Sequence, residues 1–448
     1  CQDASACNYD TDATDAADCT YIDGICETCS GEPEFDEYVL PNTSNFNYCT
    51  DAFSIDLDSD GDMDILGASQ NRSKLLWYEN EGSESFATPQ VIDGPIGVIS
   101  IYALDVDGDG DIDILSTEQE AISWYQNDGE QNFTKHVVTT SVLMGRSVYA
   151  ADIDGDGDID ILSASRDDDK IAWYENDGNE NFTANIISIS ADSAQDVYAK
   201  DLDGDGDMDV LSASSIDNKI AWYENDGGEN FTEQIISTSA LGANSVYSID
   251  LDGDGDMDVL SANYGTGGDD NSDDGRVSWF MNDGEEGFTE QIISTSADGA
   301  YSVDVKDMDG DGDLDVLSAL FYDDKIVWYE NDGDEIFTEN IITNSDGPQG
   351  TYAVDMDGDG DMDIVSAIRY RHRIFWFENT MNTDGNGSIV ENDIDSDGVC
   401  NVDEVVGCQD NTACNYNADA TDDNGNCYYP SGCDAVCDSE LVNDECGV

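Results

Sequence analysis

The chain has 448 residues, 39% of them hydrophobic, 13 cysteines, and a formal charge of −89 from 14 Lys and Arg against 103 Asp and Glu. Such a charge repels phosphate backbones and anionic lipid, which argues against nucleic acid or a simple membrane surface as partner. The acid recurs in register rather than at random, which argues against disorder, and no run approaches the ~18 apolar residues of a transmembrane helix.

The chain opens on Cys1-Gln2-Asp3 rather than on Met and a hydrophobic run, and is taken as a mature or excised segment of a longer precursor. Residues 1–31 carry Cys1, Cys7, Cys19, Cys26 and Cys29, which suits a Cys-rich, disulfide-stapled module of an oxidising compartment. Zinc is the weaker reading, because neither His136 nor His372 lies in a Cys cluster. Cys49 stands alone and is expected to be a buried free thiol.

From residue 35 to residue 380 one unit repeats at intervals of about 50 residues. Each unit carries the nonapeptide Asp-x-Asp-x-Asp-Gly-Asp-x-Asp. The carboxylates are Asp56, Asp58, Asp60, Asp62, Asp64; Asp105, Asp107, Asp109, Asp111, Asp113; Asp152, Asp154, Asp156, Asp158, Asp160; and Asp201, Asp203, Asp205, Asp207, Asp209. The later units supply Asp250, Asp252, Asp254, Asp256, Asp258; Asp307, Asp309, Asp311, Asp313, Asp315; and Asp355, Asp357, Asp359, Asp361, Asp363. An aromatic pair follows each loop, beginning at Trp77, Trp124, Trp173, Trp222, Trp279, Trp328 and Trp376.

The unit 147–188 shows the local pattern. Ser147-Val148-Tyr149-Ala150 is β-prone, Asp160-Ile161-Leu162-Ser163-Ala164 is a second strand, and Lys170-Ile171-Ala172-Trp173-Tyr174-Glu175 a third. Asn176-Asp177-Gly178 is a turn, and Phe182-Thr183-Ala184-Asn185-Ile186-Ile187 a fourth strand. Four short strands per unit predict an all-β, seven-bladed β-propeller with small disulfide-rich modules at the ends. The seventh unit lacks its fourth strand after Asn379. Phe35-Asp36-Glu37-Tyr38-Val39-Leu40 matches the missing element, so residues 35–40 are expected to close the last blade. The tryptophans are expected to pack between blades.

Calcium wants six to eight hard oxygens in flexible geometry. In each nonapeptide, positions one, three and five turn carboxylates inward, Gly at six permits the turn, position seven offers its carbonyl, and position nine closes the cage. The position-seven side chain is expected to face solvent. Without a cation such loops would repel themselves strongly, so seven structural Ca2+ sites are expected, and magnesium fits less well. After the propeller, Asp393, Asp395, Asp397 and Glu404 have the spacing of a twelve-residue EF-hand loop, in a linker spanning 390–406. An eighth Ca2+ is expected there. Residues 407–448 carry Cys408, Cys414, Cys427, Cys433 and Cys437, mirroring the N-terminal module down to a shared Ala-Cys-Asn-Tyr.

On these Asp loops and the apolar strand that follows them (Asp258-Val259-Leu260-Ser261, for example), residues 35–380 resemble the FG-GAP/VCBS repeat family, which includes the integrin α-subunit head. The resemblance implies calcium between the first two strands of each blade and ligand contacts on the opposite face. The Asp393 loop resembles thrombospondin type 3 or dockerin-like loops, and the Cys-rich ends resemble tandem modules of secreted bacterial surface proteins. A secreted, extracellular or cell-surface location follows from that likeness.

Ten of the basic residues fall between the second and third strands: Arg72, Lys74, Arg166, Lys170, Lys219, Arg276, Lys325, Arg369, Arg371 and Arg373. The propeller topology sets this loop opposite the acidic loops. The lysines read as local offsets of neighbouring acids; the Arg369, Tyr370, Arg371, His372, Arg373 cluster is a candidate ligand face. Asn132, Asn181 and Asn230 fit glycosylation sequons, although a turn Asn before a strand suffices to explain them. No Ser-His-Asp or Cys-His arrangement, phosphate loop or symmetry-breaking acid pair is evident, so no catalysis is expected. A structural or adhesive surface module, self-assembling head to tail, ranks first. A lectin for anionic cell-surface polysaccharide ranks second, and a polysaccharide lyase or glycosidase third.

Overall fold

The computed structural model describes residues 35–41, 48–70, 74–82, 86–94, 97–266, 274–284, 287–333, 335–380, 406–407 and 422–423. Two compact units divide the chain, Glu34–Thr380 and the remainder. In the remainder, Val406–Gly407 pairs in parallel with Asp422–Asp423. The cysteine clusters and the Asp393, Asp395, Asp397, Glu404 loop lie outside the described residues. Among the described residues no helix is long and apolar enough to cross a membrane.

Residues 34–380 form a seven-bladed propeller of four-stranded antiparallel sheets. Blade 1 comprises Cys49–Ile55, Asp64–Ser69, Lys74–Tyr78 and Gln90–Asp93; blade 2, Ile101–Leu104, Asp113–Thr117, Ile122–Asn127 and Phe133–Thr139. Blade 3 comprises Gly145–Ala151, Asp160–Ser165, Lys170–Asn176 and Phe182–Ser188; blade 4, Ala194–Lys200, Asp209–Ser214, Lys219–Asn225 and Phe231–Ser237. Blade 5 comprises Ala243–Ile249, Asp258–Asn263, Arg276–Asn282 and Phe288–Ser294; blade 6, Ala300–Lys306, Asp315–Leu320, Lys325–Asn331 and Phe337–Asn344. Blade 7 takes Pro348–Val354, Asp363–Ile368 and Arg373–Asn379, and its outer strand is Phe35–Val39, in register from Phe35 opposite Asn379 to Val39 opposite Phe375.

Burial explains the strand sequences. The second strand is buried at every residue, as in Asp160–Ser165, because both its faces meet a neighbouring blade. It therefore reads as an unbroken apolar and small-residue run rather than an alternation. The fourth strand has one covered face, so Phe182–Ile187 mixes exposed and half-buried positions and only Ser188 at its end is buried.

The core lies between blades. Trp173 of blade 3 packs with Tyr223 and Phe231 of blade 4, and its indole meets the Phe231 ring edge-on at 6.2 Å between centroids. Trp124 with Phe182, Trp222 with Phe288 and Trp279 with Phe337 repeat the contact at 6.1, 6.4 and 6.5 Å. Around the closure, Trp328 shares a cluster with Phe35, and Trp376 packs on Tyr78 and Phe86 of blade 1. Each such aromatic pair contributes roughly 0.5–1.5 kcal/mol beyond area burial. Cys49 is a fully buried free thiol whose burial raises its pKa.

First strands line the axis around a cavity of about 440 Å³. Phe53, Tyr102, Tyr149, Tyr198 and Tyr247 stand ring against ring at 4.8–5.2 Å, Tyr352 meets Phe53 at 6.0 Å, and blade 6 places Asp304 where the others place an aromatic. Three carboxylates here tie one blade to the next. Asp51 accepts the N–H of Ile101, Asp196 that of Val246 and Asp304 that of Ala353, each within 3.0 Å.

Removing residues 1–41 strips the outer strand from blade 7 and bares the edge of Arg373–Asn379. The expected outcome is a lower thermal midpoint and association through that edge in size-exclusion chromatography. An unchanged melt and elution volume would show that the closing strand is dispensable.

Candidate metal centres

All seven acidic nonapeptides connect the first and second strands of their blades and so lie on one face of the ring. Their geometry is set by backbone N–H groups. In blade 2, Asp105 accepts from Gly108 (2.8 Å) and Gly110 (3.0 Å), Asp107 from the N–H of Asp109 (3.2 Å), and Asp109 from that of Asp111 (2.9 Å). Gly110 holds φ at +98°, a conformation that an L side chain rarely adopts.

The position-nine carboxylate is fully buried and uses both oxygens. Asp160 Oδ2 accepts the N–H of Ile153 at 3.0 Å, and Oδ1 that of Asn176 at 2.7 Å. The same pair of bonds recurs on Asp64, Asp113, Asp209, Asp258, Asp315 and Asp363. Position nine thus bolts the loop to the end of the third strand. Each of its oxygens retains a second lone pair for a cation.

Carboxylate oxygens converge within these loops. One oxygen each from Asp105, Asp107 and Asp113 lie within 4.8 Å of one another, as do those of Asp152, Asp154 and Asp160, and of Asp201, Asp203 and Asp209. Asp56, Asp58 and Asp60, and Asp250, Asp252 and Asp254, form comparable groups. Oδ1 of Asp152 and Asp250, and Oδ2 of Asp357 and Asp359, are buried without a hydrogen-bond donor. Buried anionic oxygens without donors fit a hard cation and little else. These acidic clusters can therefore hold metal ions, and the all-oxygen donor set excludes a preference for soft metals.

The titration of these groups reflects the crowding. Burial pushes Asp64 and Asp113 up to about 7, Asp160, Asp209 and Asp258 to about 6, and Asp315 and Asp363 to about 8, against the pull of the Asn N–H. Position three follows: burial and then neighbouring carboxylates raise Asp58, and Asp309 and Asp357 reach about 6.

Two contributors had a signal in the sequence that the loop motif overshadowed: the Glu-Asn that follows most aromatic pairs. Glu79, Glu175, Glu224, Glu330 and Glu378 each add repulsion to the position-three Asp of their own blade. Blade 2 has Gln126 there, whose Nε2 donates to Asp107 at 2.5 Å. The Asn spans blades: Asn225 Nδ2 donates to the Met208 carbonyl of its own loop and to the Ile153 carbonyl of blade 3, both at 3.1 Å. Asn176, Asn282 and Asn379 make the same double contact.

One expectation needs correction. Position-seven side chains do not stand out in solvent; they are half-buried or buried against the turn after the third strand. Asp158 lies so close to Gly178 that a Cβ there would collide with its carboxylate. That turn must close over the loop for its Asn to reach it.

The Arg369–Arg373 residues do not converge. Arg369 lies 5.3 Å over the Tyr48 ring and borders a cleft at the mouth of the axis. Arg371 pairs with Glu37 at 3.1 Å, His372 Nδ1 accepts the Tyr48 N–H at 3.1 Å, Tyr370 packs on Phe321, and Arg373 begins the third strand. Lys170, Lys219 and Lys325 pair with Asp168, with Asp217 and Glu233, and with Glu339, all in their own blades. Asn132, Asn181 and Asn230 donate to Asp128, Asp177 and Asp226, as turn residues do.

Two measurements follow from this geometry. Asn225→Ala removes both donors and is expected to cost about 1–3 kcal/mol in chemical denaturation; a change within error would mean that the bridge is energetically idle. A carboxyl whose folded pKa is raised stabilises fully below its unfolded value and loses that contribution as pH rises through the folded one. In chelator, thermal stability is therefore expected to fall as pH rises from about 5 to about 8, and added divalent cation is expected to flatten or invert the slope. A chelated protein equally stable across that range would contradict the account.

Comparison with known proteins accords with the geometry. The FG-GAP-like repeat matches six times, at residues 56–116, 105–163, 152–212, 201–261, 264–318 and 307–366. Among curated proteins nothing matches. A lectin of Agrocybe aegerita, described as recognising non-reducing terminal N-acetylglucosamine, is 20% identical over 75% of this chain and 87% of its own, with a TM-score of 0.50. Virginiamycin B lyase from Staphylococcus aureus is 13% identical over 77% of this chain and 99% of its own, at 0.52. BBS1N, solved in complex with ARL6DN, is 12% identical over 78% of this chain and 96% of its own, at 0.54. At these identities the structures share a fold with this chain and nothing more specific. Six matched repeats across a ring of seven acid-looped blades make the chain a member of the FG-GAP-like repeat family.

Proposed function

We propose that this chain is an extracellular, calcium-stabilised propeller that serves as a structural or adhesive module of a cell surface and carries out no catalysis of its own. The observation that bears most weight is the set of buried, donor-free oxygens on Asp152, Asp250, Asp357 and Asp359 within clusters of converging carboxylates. Positions one, three, five and nine would hold Ca2+ through carboxylates and position seven through its carbonyl. Calcium suits a loop of this flexibility and ligand count better than magnesium, which gives up its water reluctantly. Because the same carboxylates brace the loop against the third strand, the ion would act on stability rather than on a reaction.

Adhesion is supported by the face opposite the acidic loops, where blades differ most from one another. Its partner is either a further copy of this chain or a cell-surface polysaccharide.

The test is a calcium titration of the chelated protein by calorimetry, followed by negative-stain electron microscopy. Each ion at a hundredfold excess over its Kd contributes about 2.7 kcal/mol, so the melting temperature is expected to climb steeply with calcium and only weakly with magnesium. A melt indifferent to both would overturn the metal assignment. Stacked discs or fibres that dissolve on chelation would favour self-assembly; isolated discs throughout would leave polysaccharide as the partner.

A further inference from the structure

One break in the sevenfold repetition lies at the entrance to the axis, on the face away from the acidic loops. At the start of the first strand successive blades present Thr50, Ile99, Arg146, Gln195, Asn244, Tyr301 and Gln349. The position that follows holds Asp, Ser or Gly in every blade, whereas this one ranges from apolar to cationic.

Five of these residues, joined by Arg369, border a cleft of about 430 Å³ whose outer wall includes Tyr264 and Phe321. That is the size of a small-molecule site. Arg146 is held by Gln195, Nε to Oε1 at 2.8 Å, and by the Tyr301 hydroxyl at 3.4 Å. With the Gln349 amide assigned so that its nitrogen donates to the Cys49 carbonyl at 3.2 Å, its oxygen accepts from the Tyr301 hydroxyl at 3.1 Å and from Arg369 Nη1 at 3.3 Å. One continuous chain of hydrogen bonds thus links two half-buried guanidinium groups, and every member between them is neutral.

The chain carries 103 acidic side chains, so carboxylates are abundant as partners for its few cations. Arg166 and Arg371 both have a carboxylate at 2.8–3.1 Å. Among the described residues no carboxylate lies within the 4.0 Å of an ion pair from Arg146 or Arg369; the same holds for Arg276 and Arg373, neither of which borders the cleft. Two arginines oriented by neutral partners, in a cleft, in a strongly acidic chain, form an anion receptor with its counter-ion left to the ligand. The surrounding amides and the tyrosine hydroxyl supply both donors and acceptors, which a polyhydroxylated ligand can use.

We propose that this axial cleft binds the carboxylate of an acidic saccharide, with Arg146 and Arg369 as its anchors and Gln195, Asn244, Tyr301 and Gln349 reading the adjoining hydroxyls. The proposal rests on the adhesive reading above and names a ligand class for it. The ordering of the guanidinium groups in advance means that binding requires little rearrangement.

The test is calorimetric titration of the full chain, in calcium, with trigalacturonic acid and with its methyl ester. The acid is expected to bind and the ester to bind at least about tenfold more weakly, the loss of a charge-assisted pair. Arg146→Gln and Arg369→Gln are each expected to weaken the acid by a similar factor at an unchanged melting temperature, whereas Lys325→Gln leaves it unaltered. Equal binding of acid and ester, or full affinity in both arginine variants, would overturn the proposal. So would binding of a peptide carboxylate in the same cleft when no acidic saccharide binds. Any of these would leave the calcium-dependent melt intact, so failure here is separable from failure of the broader reading.

Discussion

Each blade depends on one buried carboxylate, the last of its acidic loop. Asp160 and its six equivalents accept a hydrogen bond from the loop on one oxygen and from the end of the third strand on the other. The same residue is the first of the second strand, buried on both faces between neighbouring blades. Loop geometry, strand pairing and inter-blade packing therefore meet at a single side chain. Burial opposes its charge and the two N–H donors only partly offset that, which is why its pKa lies well above the ordinary carboxylate range. A cation set against it would relieve the loop and the core together.

Electrostatics outside the loops follows a different rule. The scarce cations are spent close to home: Lys219 sits between Asp217 and Glu233 of its own blade, and Arg371 reaches the closing strand at Glu37. An excess of basic residues in one set of loops consequently does not amount to a basic face. At the axial mouth a guanidinium is left without a carboxylate: Arg146 has an amide and a phenol for neighbours.

The sequence was most legible where the repeat constrained it. Seven Asp loops and seven aromatic pairs determine blade number, strand order and the role of the tryptophans, because burial between blades demands the same residues each time. The unpaired Phe35-Asp36-Glu37-Tyr38-Val39 matched the fourth-strand pattern for the same reason. Legibility failed where a side chain's role depends on its neighbour in space. Arg146 lies in a first strand and carries no motif, yet it borders the cleft, whereas most of the conspicuous Arg369–Arg373 run is used up locally. Asn225 looked like a turn residue, and its reach across to Ile153 appears only once two blades are side by side. Position seven misled because alternation in an extended loop says nothing of the turn that closes over it.

The register of the closing strand also decides how the ring bears a pull. Phe35 lies opposite Asn379, so the chain enters and leaves the propeller at the same end of one antiparallel pair. A load drawn along the polypeptide would bypass six blades and fall on the hydrogen bonds between Phe35–Val39 and Arg373–Asn379 one after another, as when a zip is opened, rather than on all of them in shear. Within a stretched surface protein the propeller is then a side-loaded element held by its weakest mode, and its first yield would be the peeling of a single strand while the inter-blade cores stayed whole.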